Sequence, residues 1–200
     1  MHSSQLIKHF YPSYFIWDIP SETDDIYLTF DDGPVNGITH KVLNILDDFE
    51  IKATFFCVGE NVVRHNDVFL ELLSKGHAVG NHTYNHLKGW KTNFEDYIYN
   101  VDICNKLVGV PLFRPPYGRI TRKQAALLKD NYKIIMWSVL SYDFDQKLNA
   151  AKCLKKSIDK TRKGCIIVFH DNVKAEKNLI YTLPRYIEHF KKKNYNFKTL

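Results

Sequence analysis

His82 and His86 stand four residues apart in the run His82-Thr83-Tyr84-Asn85-His86. At that spacing both imidazoles fall on one side of a helical turn and can reach one metal ion. With nine histidines in the chain the pair alone is a weak signal. Its place directly after a short apolar segment, 78–81, strengthens it. Asp31 and Asp32 precede Gly33 and Pro34, so they either open a turn or divide a chemical task. Adjacent carboxylates point in different directions, which lets one bind a cation while the other handles a proton. Two imidazoles with one carboxylate leave a coordination position for water, as in catalytic zinc sites. Arg114, in Arg114-Pro115-Pro116-Tyr117-Gly118, is either a surface cation or the partner that keeps an aspartate ionised. His170 follows five apolar residues and is either a satisfied histidine at the core edge or a general acid.

Competing chemistries find no support. The chain has no G-x-S-x-G elbow, no phosphate-binding G-x-x-x-x-G-K-[ST] and no H-E-x-x-H. The lysine-rich stretches 152–163 and 191–193 read as solvated helix faces. With no recognisable nucleic-acid module, no nucleic-acid partner is expected.

Elements that would position these residues are legible in the apolar pattern. Segments 26–30, 53–58, 78–81, 134–137 and 165–169 read as strands, with 111–114 an edge or short strand and 195–197 a final one. Segments 40–49, 61–75, 94–108, 121–130, 148–162 and 179–193 have helical spacing, and Gly76 is a natural helix stop. Strands apolar on both faces and alternating with helices imply a parallel sheet covered by helices. Candidate residues then gather at the carboxyl ends of strands. A closed eight-unit barrel takes about 250 residues, and this chain has 200. The expected architecture is α/β: a distorted, incomplete barrel of about seven parallel strands with outer helices. A doubly wound open sheet is the alternative, without the G-x-G-x-x-G that usually follows its first strand.

Composition sets outer bounds. Hydrophobic residues make up 44% and charged residues 25%, which excludes a disordered or collagen-like chain. The net charge of +6 is compatible with acidic polymers or a membrane face and proves neither. Aromatics at 14% suit a core or stacking against sugar rings. Cys57, Cys104, Cys153 and Cys165 show no C-x-x-C spacing and are expected to be buried and reduced. Residues 1–20 lack the apolar core and cleavage site of a signal peptide, and no apolar run reaches membrane-spanning length. As written, the chain is expected in the cytoplasm as a monomer without a transmembrane segment. Export or envelope association is expected instead if the natural start lies upstream.

Taken in order, these segments resemble the polysaccharide deacetylase family, the NodB-homology domain of carbohydrate esterase family 4. Thr29-Phe30-Asp31-Asp32-Gly33-Pro34 resembles its first motif. His82-Thr83-Tyr84-Asn85-His86 matches H-[ST]-x-x-H, and Arg114-Pro115-Pro116-Tyr117-Gly118 matches R-x-P-Y-G. Leu140-Ser141-Tyr142-Asp143-Phe144 resembles the fourth motif, and Val168-Phe169-His170 the fifth. The match covers about residues 26–171 of a chain expected to be a single catalytic domain over 1–200.

This resemblance implies a distorted (β/α) barrel and a metal-dependent hydrolase. It implies Asp32, His82 and His86 as ligands of one divalent metal, usually Zn2+, with Co2+, Ni2+ or Mn2+ as alternatives. Asp31 would be the general base, oriented by Arg114. His170 would be the general acid, supported by Asp143. The Tyr117 backbone N–H would meet the oxyanion, while Tyr117, Phe144 and Val168 border the substrate. Two departures stand in the fourth motif, usually D-x-x-D-W: Leu140 replaces the first acid and Phe144 the tryptophan. Val168 stands where leucine is usual. The implied substrate is an acetylated amino-sugar polymer or oligomer of peptidoglycan or chitin type. Alternatives are a lipid-linked sugar deacetylated or deformylated, an O-acetyl xylan, or a metal-holding relative that binds carbohydrate without catalysis.

Overall fold

A computed structural model describes residues 8–200, so part of the 1–20 leader reading, residues 1–7, lies outside the described residues. Among these residues nine strands form one sheet: β1 Phe15–Ile16, β2 Asp25–Asp31, β3 Thr54–Cys57, β4 Ala78–Asn81, β5 Leu112–Phe113, β6 Lys133–Ile135, β7 Val139–Leu140, β8 Ile166–His170 and β9 Asn196–Lys198. The helices are α1 Ile38–Asp48, α2 Gly59–Arg64, α3 Asn66–Ser74, α4 Phe94–Val108, α5 Arg122–Leu128, α6 Ala150–Lys160 and α7 Glu176–Lys191.

All strand pairs are parallel, in the order β1-β6-β5-β4-β3-β2-β8-β7, with β9 added to β2. The sheet curls back on itself because one chain segment serves both ends. β6 pairs with β5 and β1, and only Met136, Trp137 and Ser138 separate it from β7, which pairs with β8. Across the remaining gap, Asp18 bridges antiparallel to Cys165, and the Ile19 N–H donates to the Gly164 carbonyl at 2.9 Å. The result is the distorted, incomplete α/β barrel expected from the sequence.

β2 shows why its residues form a central strand. Ile26, Leu28 and Phe30 face the helix-covered side, packed with Val42, Leu46, Leu183 and Ile187 of α1 and α7. Thr29 and Asp31 belong to the alternate face, as the two-residue period of a strand requires. There the fully buried Arg114 reaches both of them. A buried guanidinium therefore occupies the barrel interior beside Phe56, whose ring centroid lies 4.0 Å from its central carbon.

Three features differ from the sequence reading. β1 and β7 were not anticipated, since two residues are too short to leave a period. The segment read as an edge or short strand, β5, is the short strand of those two, only two residues long, and lies between β4 and β6. The helix expected over 61–75 is two helices broken at His65, where ψ is 50°. The first N–H groups of α2, from Gly59 and Glu60, donate to the Thr83 and Tyr84 carbonyls and tie that helix to the histidine loop. Gly76 ends α3 with φ at 75°, as anticipated. All four cysteines are buried and free. No helix among the described residues is long and apolar enough to cross a membrane.

Candidate active site

Four strand ends deliver the candidate residues to one cleft of about 600 Å3. Asp31 closes β2 and pairs in register with His170, which closes β8, so the two side chains share a face. His82 follows β4 directly, and Arg114 follows β5 directly.

His82 and His86 do not lie on a helical turn. They belong to an irregular loop in which Thr83 (φ 62°) and His86 (φ 55°) are left-handed. Asn100 of α4 holds this loop: its Oδ1 accepts the Tyr84 and Asn85 N–H groups at 2.7 and 3.0 Å. Its Nδ2 donates to Asn85 Oδ1. Tertiary hydrogen bonds replace the expected helix, and the loop still brings both rings together with centroids 5.1 Å apart.

Ligand atoms of Asp32, His82 and His86 all lie within 4.8 Å of one another. Asp32 Oδ1 is 3.0 Å from His86 Nε2 and 3.6 Å from His82 Nε2. The His82 Nδ1–H donates to the Arg114 carbonyl at 2.7 Å, an acceptor that fixes the tautomer and turns the Nε2 lone pair toward Asp32. Burial pulls His82 down to about 4, against the Asp31 charge, so the ring is neutral at pH 7. Burial pushes Asp32 up, but the His86 hydrogen bond and the positive charge of His170 outweigh it and hold the carboxyl well below the usual range. A neutral imidazole with its lone pair presented and an ionised carboxylate are the donor forms that a borderline divalent cation takes. The residues present fit such a group.

Asp31 and Arg114 form the second part of the site. Arg114 Nη1 donates to Asp31 Oδ1 at 2.6 Å, while Asp31 Oδ2 lies 3.9 Å from His82 Nε2. The third part is His170, whose Nδ1–H donates to Asp143 Oδ1 at 2.8 Å and whose backbone N–H donates to Asp143 Oδ2 at 2.7 Å. Burial pulls the imidazolium down, but the charge and hydrogen bond of Asp143, with Asp32 and Asp31 beyond, raise it to about 9. His170 is therefore a cation at neutral pH with its Nε2–H still available.

Apolar residues complete the cleft. Tyr117 (φ 61°) packs its ring 4.6 Å from His86, and Phe144 sets its ring edge-on to His170 at 4.9 Å. Val168 and Leu140 line the same space. Every residue singled out in the sequence is thus in or directly behind this cleft.

Sequence reasoning missed the supporting polar residues. Asn172 Nδ2 donates to Asp32 Oδ2 at 2.6 Å, and Asn61 Nδ2 donates to the Asp32 carbonyl at 2.8 Å. Asp171 Oδ1 accepts the Gly33 N–H at 3.0 Å and Oδ2 accepts the Thr39 hydroxyl at 2.6 Å, joining β8 to the turn after β2. Burial pushes the Asp171 carboxyl up to about 7. Buried Asn178 of α7 donates to the carbonyls of Asp143, Asp145 and Leu148, which fixes the loop carrying Asp143. Asp171 and Asn172 had one available signal: they continue directly from His170 past a strand end. Asn61, Asn100 and Asn178 had none, because their partners lie 15 or more residues away.

Comparison with known proteins finds relatives over most of the chain. The family model for polysaccharide deacetylase matches residues 18–133. A peptidoglycan-N-acetylglucosamine deacetylase of Bacillus cereus is 33% identical over 189 residues, covering 90% of this chain and 68% of that protein. A second B. cereus protein of the same description is 32% identical, covering 94% of this chain and 91% of its own length. A crystal structure of a peptidoglycan N-acetylglucosamine deacetylase bound to a naphthyl-substituted N-oxidanyl-benzamide superposes with a TM-score of 0.86 at 29% identity, covering 99% of this chain and 94% of that one.

Proposed function

The chain belongs to the polysaccharide deacetylase family, and from that premise we propose that it is a metal-dependent hydrolase removing N-acetyl groups from N-acetylglucosamine units of a peptidoglycan- or chitin-type glycan. One observation carries the reading. A three-ligand cluster, an arginine-bound aspartate and a cationic histidine converge on one cleft from separate strand ends.

Asp32, His82 and His86 would hold the ion, and two imidazoles with one carboxylate suit Zn2+, with Co2+, Ni2+ or Mn2+ as substitutes. When bound, it supplies Lewis-acid polarisation of the acetyl oxygen and of the attacking water. Asp31 is the general base. Arg114 occupies its Oδ1, so Oδ2 is the oxygen that takes the proton from water. His170 is the general acid. Its Nδ1–H is committed to Asp143, so the Nε2–H passes to the nitrogen of the breaking amide. Acetate and a free amine leave, and the proton gained by Asp31 balances the one given by His170. The Tyr117 backbone N–H serves the oxyanion of the tetrahedral state. Phe144, Val168 and Leu140 wall the acetyl methyl, so the replaced tryptophan and acid of the fourth motif are met by an apolar surface.

Acetate release from chitin oligomers, peptidoglycan fragments and acetyl-xylan, with and without a chelator, tests this reading. The expected result is chelator-sensitive release from the N-acetyl substrates. Release from acetyl-xylan alone would overturn the N-acetyl assignment. Absence of release from all three, with metal bound, would replace hydrolysis by carbohydrate binding.

A further inference from the structure

Three basic side chains border the same cleft from two sides. Lys88 follows the His82–His86 loop and Arg119 follows the loop after β5, while Lys174 follows β8 on the other side of β2 and β3. Among the described residues no carboxylate lies within ion-pair distance of any of the three, whereas Lys41 and Arg64 on the outer helices, and Lys75 and Lys192 at the ends of theirs, all have acidic partners. Lys88 Nζ sits 4.6 Å from the Tyr117 ring centroid, and the Arg119 guanidinium 4.9 Å from that of Trp90. Aromatic faces steer these cations without neutralising them.

Among the described residues, the acidic side chains that line the cleft are Asp31 and Asp32. Both are engaged, Asp31 by Arg114 and Asp32 by Asn172 and His86. The rim therefore carries like charge with no internal counter-charge, in a cleft whose other lining includes Tyr117, Trp137, Phe144 and the exposed Val173. Aromatic faces suit the apolar faces of sugar rings, and a one-sign rim concentrates counter-charged ligands.

We propose that the cleft selects an anionic glycan: an acetylated amino sugar at the Asp32–His82–His86 end, with carboxylate or phosphate groups on the neighbouring part of the chain met by Lys88, Arg119 and Lys174. This rests on the deacetylase reading and narrows its substrate class. It also places part of the chain's +6 net charge at a functional edge.

The test uses the metal-loaded full chain and oligosaccharides of equal length in four forms: neutral N-acetylglucosamine, carboxylate-bearing, the same carboxylates amidated, and phosphate-bearing. Acetate release is followed at low and high ionic strength. The carboxylate or phosphate oligomer should show a KM about three- to tenfold below the neutral and amidated ones, with similar kcat, as three exposed charge contacts would give. That preference should fade with salt. The double variant Arg119→Gln/Lys174→Gln should bring the anionic-to-neutral ratio close to one. Lys133→Gln/Lys152→Gln, which removes the same charge away from the cleft, should keep it. Comparing carboxylate with phosphate arms identifies which anion is taken. Equal, salt-independent KM values for all four forms would overturn the proposal. So would loss of the preference in the Lys133/Lys152 control. Absence of release from every form would instead overturn the deacetylase reading, and calorimetric binding of the same four oligomers would then decide the charge preference alone.

Discussion

Arg114 Nη1 lies 2.6 Å from Asp31 Oδ1, and the arginine is wholly buried inside the barrel. The same guanidinium donates to Thr29 Oγ1 at 2.8 Å and, through Nη2, to the Met136 carbonyl at 3.0 Å. It links β2 to the segment that joins the two ends of the sheet. The fork geometry of arginine makes this possible, and a lysine ammonium does not span those acceptors.

Arg114→Met should therefore destabilise the protein as well as inactivate it. Removing one partner leaves Asp31 as an uncompensated buried charge, a loss of about 3–5 kcal/mol. Arg114→Lys should recover only part of this. Urea unfolding of the three proteins checks the order, and equal midpoints for Arg114→Met and the parent would refute it.

Gly33 approaches Asp171 so closely that a Cβ there would overlap the carboxylate. Gly33→Ala should lower stability by about 1–3 kcal/mol, the usual cost of overpacking. In Asp171→Ala the same substitution should cost clearly less, since the colliding group is gone. A double-mutant cycle measures this coupling, and strict additivity would contradict it.

Acetate release should decline as pH rises through about 9, where His170 loses its proton. Asp143→Asn removes the charge that raises His170 most, leaving burial opposed only by the charges of Asp32 and Asp31 beyond. The basic limb of kcat against pH should then move down by about two units or more. For stability the sign is the same. With the ordinary histidine value of 6.5 in the unfolded chain, the contribution is full below that pH and lost on rising through about 9. An unmoved limb in Asp143→Asn would exclude His170 as the titrating acid.

His82→Ala and Asp32→Ala should abolish tight Zn2+ or Co2+ binding in calorimetry. Asn172→Ala, which frees Asp32 Oδ2, should weaken it about tenfold or more, as for other groups that orient a ligand. Asp31→Asn should retain the ion while acetate release falls about 10²- to 10⁴-fold. Loss of the ion in Asp31→Asn would show that the two aspartates have exchanged roles.

Much of this protein is readable without coordinates. Among the described residues, the apolar periods locate seven of the nine strands and all the α-helical regions, though not the short 3-10 turns. The placing of Asp31, His82, Arg114 and His170 at strand ends already implies a shared cleft, because parallel strands present their carboxyl ends on one side. Local residue type was sufficient there, since period and turn chemistry act within a few residues. What the tertiary structure alone decides rests on partners distant in the chain. The histidine loop is irregular because Asn100 of α4 captures its N–H groups in place of a helical ladder. His170 is a cation and His82 neutral because burial acts on both, and only His170 has Asp143 at hydrogen-bond distance to outweigh it. Arg114 is a core residue because the interior of the barrel offers it four acceptors. Spacing along a chain carries no information on such neighbours, because burial and pairing are properties of the closed barrel.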